Sequence, residues 1–175
     1  ATLTPTVTQT PTKTSTPTPS QDNLREEWEP LMHHSMLDLM VCSIMRDMAE
    51  ASSKGEIAQN DVIGSVSTMT MMIELLNIDL QQGDYPLAAR FLIEELSGEL
   101  DAMGVILDDW FEEELKDSEV PDLLDPICLD IVETTDSIED KAKENGVDES
   151  TIDEIYGAFE EMLRDAAGMF GGFGE

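Results

Sequence analysis

The chain has 175 residues, of which 39 are Asp or Glu and 9 are Lys or Arg, and its net charge is −30. Such an acidic surface repels nucleic acid and anionic lipid, which are bound through Lys and Arg, so we expect its partners to be a basic protein surface, cations or further copies of itself. The sequence holds no run of about 18 apolar residues, and we therefore predict no transmembrane segment.

Residues 1–21 have the composition of a linker or stalk. Threonine occupies every even position from 2 to 18, and Lys13 is the one charged residue. The segment lacks the apolar side chains of a core, so we expect an extended tether, with strand pairing to a neighbour as the alternative. Threonines beside prolines are typical of O-glycosylated stalks, which predicts a secreted or cell-surface, extracytoplasmic protein. The candidate acceptors are Thr4, Thr6, Thr10, Thr12, Thr16 and Thr18.

Residues 22–168 form the predicted folded unit, an acidic helical bundle, because apolar residues recur there every three to four positions. We expect an all-α fold of four to five helices, mostly up-and-down. The predicted helices are residues 22–51, 57–82 and 85–116, a fourth from Asp125 to about Asn145, and a fifth that begins after Asp148 or Ser150. Residues 169–175 are rich in glycine, and we expect a flexible C-terminus.

Prolines and apolar patterns refine these helices. Pro30 lies inside the first segment, where it either kinks the helix or marks its true start. That first helix is apolar on nearly every side, which predicts a central position in the bundle. The predicted buried stripe of the second helix consists of Val62, Val66, Met69, Ile73, Leu76 and Leu80. Asp125 followed by Pro126 is typical of an N-cap and first turn, so we place the start of the fourth helix there.

The first helix carries both histidines and a run of methionines. Met32, Met36 and Met40 are four residues apart and share a side with His33. Thioethers together with an imidazole suit Cu(I), whereas the alternative is that the methionines fill the core without any ligand. The sequence His33-His34 followed by Met40 resembles the paired-histidine motif of small exported helical domains associated with copper, although a second His-His pair is absent.

A second ladder on the same helix consists of His34, Asp38 and Cys42, again four residues apart. These donors suit Zn²⁺ if a fourth comes from Cys128 or from a carboxylate of the third helix. Alternatively, His34 and Asp38 form an ordinary i,i+4 pair. Cys42 would then be free to form a disulfide with Cys128, the single internal pairing that two cysteines allow.

We predict no catalytic residue and no cofactor other than copper or zinc. The sequence has no Gly-rich phosphate loop, no Gly-x-Ser-x-Gly turn and no Cys-x-x-Cys pair. Together with the stalk and the acidic surface, this predicts an exported or surface-tethered helical bundle with a non-enzymatic binding or structural (assembly) role. Two alternatives stay open: an extracytoplasmic domain that handles copper or zinc through its first helix, and an acidic mimic of nucleic acid.

Overall fold

The computed structural model describes residues 19–170, apart from the side chains of residues 59 and 166–170. Within that range the chain forms five α-helices, one 3-10 turn and no strand, which confirms the predicted all-α class. The helices are α1 (Gln21–Ser53), α2 (Gln59–Gln82), α3 (Arg90–Phe111), α4 (Val120–Glu144) and α5 (Glu149–Phe170), and the 3-10 turn spans Leu87–Ala89. Residues 1–18, with the candidate O-glycosylation sites, and residues 171–175 lie outside the described residues.

Helices α1 to α4 form an up-and-down four-helix bundle. α1 packs against α2 and α4, and α3 closes the ring by packing against the same two helices. Cys42 of α1 lies opposite Cys128 of α4. Nearer the start of α1, Gln21 donates to the Gly146 carbonyl just beyond α4, so these two helices run antiparallel. α5 lies along α1, which therefore contacts all four other helices and has the predicted central position.

The core is formed by the apolar faces that the helical periodicity predicts. Burial of large apolar side chains is the main stabilising contribution to such a fold. The largest fully buried side chains are Trp28, Leu31, Met32, Met45, Leu80, Leu96, Leu100, Met103, Leu107, Leu124, Ile131 and Ile138. Of the predicted α2 stripe, Val62, Val66, Ile73 and Leu80 are buried, and Met69 and Leu76 pack partly buried against the core.

α1 begins well before Pro30 and runs through it. Ser20 caps the helix by accepting a hydrogen bond from the N–H of Asn23 at 3.3 Å. Leu24 and Trp28 are buried in the turns before the proline, and their packing offsets the hydrogen bond that Pro30 lacks. The alternative prediction that Pro30 marks the true start of the helix is therefore wrong.

The predicted ends of the third helix are also wrong. We expected residues 85–116, whereas α3 spans Arg90–Phe111. Pro86 disfavours a helical conformation at the residue before it, so the chain enters α3 through the 3-10 turn. At the other end Glu113 has a φ of 61°, a left-handed conformation that stops the helix.

The fourth helix begins five residues before Asp125, at Val120. Pro121 lies in its first turn, where the missing N–H costs nothing. Either proline fits the pattern of a first turn, but Val120 and Leu124 are fully buried, and their packing stabilises the additional turn. The predicted N-cap at Asp125 is therefore wrong, and this carboxylate instead pairs with Arg46 of α1.

Candidate functional site

The two adjacent histidines of α1 face different neighbours. His33 is half-buried against α5, where its Nε2 donates to the carbonyl oxygen of Ile155 at 3.0 Å and its ring centroid lies 5.4 Å from that of Phe159. His34 is only 4% exposed and lies in the bundle interior. The histidine pair therefore does not form one binding site.

The predicted copper ligands are divided between the core and the surface. Met32 is fully buried among apolar side chains, whereas Met36 and Met40 are half-buried. His33, the imidazole expected to complete the set, already donates to Ile155. A Cu(I) ion bound through that nitrogen would have to displace this hydrogen bond, and the copper set stays a prediction.

The two cysteines form a disulfide that joins α1 to α4, with their Cα atoms 5.7 Å apart. Cysteine binds zinc as the thiolate, and a sulfur held in a disulfide is not one. The predicted ladder of His34, Asp38 and Cys42 therefore loses its cysteine, and Cys128 does not supply a fourth ligand. His34 and Asp38 are the part of the ladder that remains.

His34, Asp38 and Glu99 form a polar cluster inside the bundle, which we call the core cluster. The Nε2 of His34 lies 3.6 Å from Oδ2 of Asp38, which is 0% exposed. Glu99 belongs to α3, across the ring, and lies near enough for its charge to act on Asp38. Within residues 19–170 four buried atoms of the cluster have no hydrogen-bond partner, namely His34 Nε2, both Asp38 oxygens and Glu99 Oε2. Because buried polar atoms are nearly always paired, this is the most unusual environment in the described fold.

Groups around the core cluster orient two of its side chains. The Nδ1 of His34 lies 3.7 Å from the Asp79 carboxylate of α2, which accepts a hydrogen bond from the Tyr85 hydroxyl at 3.0 Å. Thr134 of α4 donates through its hydroxyl to Oε1 of Glu99 at 2.7 Å. His34 and Glu99 thus each direct one polar atom to an outer partner and keep the other buried.

Burial favours the neutral form of all three groups. It lowers the pKa of His34, against the charge of Asp79, which raises it. Burial, and after it the charge of Glu99, raises the pKa of Asp38 to about 8. Burial also raises the pKa of Glu99, although the hydrogen bond from Thr134 lowers it. Near pH 7 His34 and Asp38 are therefore mainly neutral, and their close approach is not an ion pair.

An acidic groove between α3 and α4 includes Glu99 of the core cluster in its lining. It has a volume of about 320 Å³ and is lined by Glu95, Glu99, Asp130, Glu133, Thr134 and Ser137. All six side chains offer oxygen atoms. Glu99 belongs both to this groove and to the core cluster, so it connects the buried groups with the surface.

A second unusual feature is the outer side of α2, where Met71, Met72, Leu75 and Ile78 are exposed; we call these four residues the α2 face. Leu75 is 62% and Met71 is 60% exposed. No charged residue occurs between Asp61 and Glu74, although the whole chain carries 39 acidic side chains. Exposed apolar side chains grouped in this way mark interaction surfaces more often than scattered ones do.

Two grooves flank the α2 face. The groove toward α1 has a volume of about 340 Å³, and Met72 and Leu75 contribute to its lining. The groove toward α3, of about 380 Å³, includes Ile78. Its other lining residues include the exposed Val105 and three carboxylates, namely Glu74, Asp101 and Asp108. The apolar surface therefore continues from α2 toward α3 and has an acidic edge on that side.

Sequence reasoning offered a carboxylate of the third helix as a zinc ligand without identifying Glu99, and it missed the α2 face. Glu99 is one of many acidic residues on its helix, and no local pattern marks it as half-buried. The α2 face had a visible signal, because α2 is apolar on two sides and carries only Asp61, Glu74 and Asp79 as charged residues. The predicted stripe explained one of those sides and left the other without an assignment.

We found no match to this chain among protein-family models, curated proteins or solved structures. The helices described between residues 19 and 170 are each too short or too polar to cross a lipid bilayer. Function must therefore be inferred from the bundle, the core cluster and the α2 face themselves.

Proposed function

We propose that this protein is a surface-tethered, extracytoplasmic binding domain without catalytic activity, and that the α2 face binds a partner protein with an apolar surface rimmed by Lys and Arg. The observation that carries this proposal is the exposure of four large apolar side chains on the least charged helix of a very acidic chain. Burying one such side chain fully is worth about 1.5–3 kcal/mol, so the α2 face offers substantial binding free energy.

Charge supports a basic partner rather than a second copy of the chain. Two copies, each with a net charge of −30, repel one another. A partner that places Lys or Arg beside Glu74, Asp101 and Asp108 is instead attracted, both during the encounter and in the complex. The apolar contact would supply most of the affinity, and the acidic edge would supply the orientation and a dependence on salt.

The extracytoplasmic location has two lines of support. The Thr/Pro-rich composition of residues 1–18 suits a stalk that holds a folded domain away from a surface, whereas Ser20 and Gln21 of the predicted stalk belong to the start of α1. The Cys42–Cys128 bridge of the bundle suits an oxidising compartment, because cytosolic thiols are kept reduced. A domain held on a stalk can bind its partner through the bundle alone. Such a role requires no catalytic residues, and the sequence predicts none.

Selection from a displayed library of helical peptides tests the proposed partner chemistry. The full chain serves as bait, with counter-selection against poly-glutamate, so that peptides attracted only by the general negative charge are removed. We expect the enriched peptides to combine an apolar face with flanking Lys or Arg. Enrichment of peptides without a basic excess, or no enrichment of any peptide, would overturn the proposal. Sedimentation velocity of the chain without peptide tests self-association. An average mass that increases with protein concentration would favour a second copy of the chain as the partner and would also overturn the proposal.

A further inference from the structure

The unpartnered atoms of the core cluster are of the types that bind metal ions. They comprise one imidazole nitrogen, from His34, and carboxylate oxygens of Asp38 and Glu99. His34 and Asp38 are both more than nine-tenths buried. Imidazole with carboxylates is a donor set that binds zinc in proteins, and such buried donors are normally paired or bound to an ion.

The spacing of His34 and Asp38 suits two ligands of one ion. Zinc–nitrogen and zinc–oxygen bonds of about 2.0–2.2 Å at a tetrahedral angle place two donor atoms about 3.3–3.6 Å apart. His34 Nε2 and Asp38 Oδ2 are separated by 3.6 Å. A small adjustment of either side chain would therefore bring both atoms to coordination distance.

The outer partner of His34 is also the kind found around metal-bound imidazoles. A ligating histidine usually directs its second nitrogen at a carboxylate or carbonyl, which fixes the ring. Here Nδ1 of His34 faces Asp79, and Tyr85 in turn holds that carboxylate. Thr134 orients Glu99 in a similar way. Its hydroxyl donates a hydrogen bond to Oε1, which leaves Oε2 available to bind an ion.

The acidic groove between α3 and α4 would attract cations to this side of the bundle. Its carboxylates, which include Glu95, Asp130 and Glu133, would raise the local concentration of divalent ions. Glu99 is the one residue of the core cluster that lines this groove. Glu99 is also the donor that must move, because in the described part of the chain no three His, Cys, Asp or Glu side chains are already grouped as a metal site.

We propose that the core cluster binds one zinc-class divalent ion through His34 Nε2, the Asp38 carboxylate and Glu99 Oε2. Glu99 turns inward on binding, and a water molecule completes a four-coordinate site. Compared with the predicted zinc set of His34, Asp38, Cys42 and a fourth ligand, this site loses both cysteines to the disulfide and identifies the carboxylate of α3 as Glu99. The proposal does not rest on the partner proposed for the α2 face, although the groove between that face and α1 is also lined by His34 and Asp79.

The test is a titration of the full, disulfide-intact chain with Zn²⁺ against a chromogenic chelator. Millimolar Mg²⁺ is present throughout, so that surface carboxylates are occupied by a hard ion. We expect one Zn²⁺ per chain in the wild-type protein. Binding should be at least tenfold weaker in both Asp38→Asn and Glu99→Gln, because even the loss of a residue that only hydrogen-bonds to a metal ligand changes affinity by this much. Glu112→Gln removes the same charge from an exposed position and should bind like the wild-type protein.

Two further measurements keep the result interpretable. Asp79→Asn changes a side chain that is 70% exposed, so the fold should persist while zinc binding weakens through the loss of the outer partner of His34. Co²⁺ in place of Zn²⁺ should give the intense visible absorption of a four-coordinate ion in the wild-type protein and not in Asp38→Asn. If folded Asp38→Asn and wild-type protein take up zinc equally, or neither takes it up, the proposal is overturned.

Discussion

His34 and Asp38 lie one helical turn apart on α1 with Nε2 and Oδ2 separated by 3.6 Å, and at neutral pH they meet as two uncharged groups. A charged pair at this depth would lose more hydration than its attraction returns, unless further hydrogen bonds were present. Burial therefore keeps the proton on the acid and off the imidazole. The stability of the metal-free bundle should reflect this state.

Asp38 should make the free energy of unfolding fall as the pH rises. Its pKa is about 8 in the folded chain against an ordinary 3.8, so between these values the unfolded chain has released the proton and the folded chain retains it. The slope from this one group approaches about 1.4 kcal/mol per pH unit where the two states differ by a full proton. Urea unfolding from pH 6.5 to 8, with a chelator present, should show the decline in the wild-type protein and a flatter profile in Asp38→Asn.

The pH range of this measurement separates the effect of Asp38 on the free energy of unfolding from that of His34. A lowered pKa makes the folded chain lose the His34 proton before the unfolded chain does, so this group makes stability rise with pH. That rise levels off within about one pH unit above 6.5, the ordinary value for histidine, whereas the fall from Asp38 continues to about pH 8. Parallel profiles for the two proteins above pH 6.5 would contradict a proton held on Asp38.

The disulfide should contribute strongly to stability because it closes a long segment. Cys42 and Cys128 are 86 residues apart, and in the chain-entropy account such a link stabilises the fold by about 4–5 kcal/mol. The double variant Cys42→Ala, Cys128→Ala should therefore unfold at a markedly lower urea concentration. An unfolding midpoint that is unchanged by the double substitution would count against the disulfide. So would two free thiols in the denatured wild-type protein.

Two leucines provide a matched comparison of core and surface. Leu107 is fully buried on α3, whereas Leu75 belongs to the α2 face. Leu107→Ala removes packed atoms and should cost about 2–5 kcal/mol, while Leu75→Ala should change the free energy of unfolding by less than about 0.5 kcal/mol. Chemical unfolding of both variants checks this. Comparable losses would mean that the α2 face is covered within the chain itself.

The helical class could be predicted from the sequence because the helices follow local rules. Apolar spacing placed Val62, Val66, Ile73 and Leu80 on the buried side of α2. The start of α5 also follows a local signal, since Asp148 accepts a hydrogen bond from the N–H of Thr151 at 2.9 Å. Signals of this kind involve residues within one or two turns of each other.

The errors arose where packing between distant segments decided the outcome. Pro121 and Pro126 each fit a first turn, and burial of Val120 selected the earlier start. The core cluster depends on Glu99 of α3 approaching Asp38 of α1, a relationship that spacing along one helix does not contain. The predicted pair of His34 and Asp38 was therefore only part of the cluster.

The most direct test of the proposed function is a calorimetric titration of a selected basic peptide into the wild-type chain and two charge-matched variants. Leu75→Glu alters the α2 face, and Leu129→Glu adds the same charge at a leucine of α4 that is 58% exposed. Both variants should fold, because both positions face solvent. We predict that Leu75→Glu weakens binding at least tenfold and that Leu129→Glu leaves it within about twofold, since burial of one leucine is worth more than 1.4 kcal/mol. Equal binding to all three proteins would contradict a recognition surface on α2.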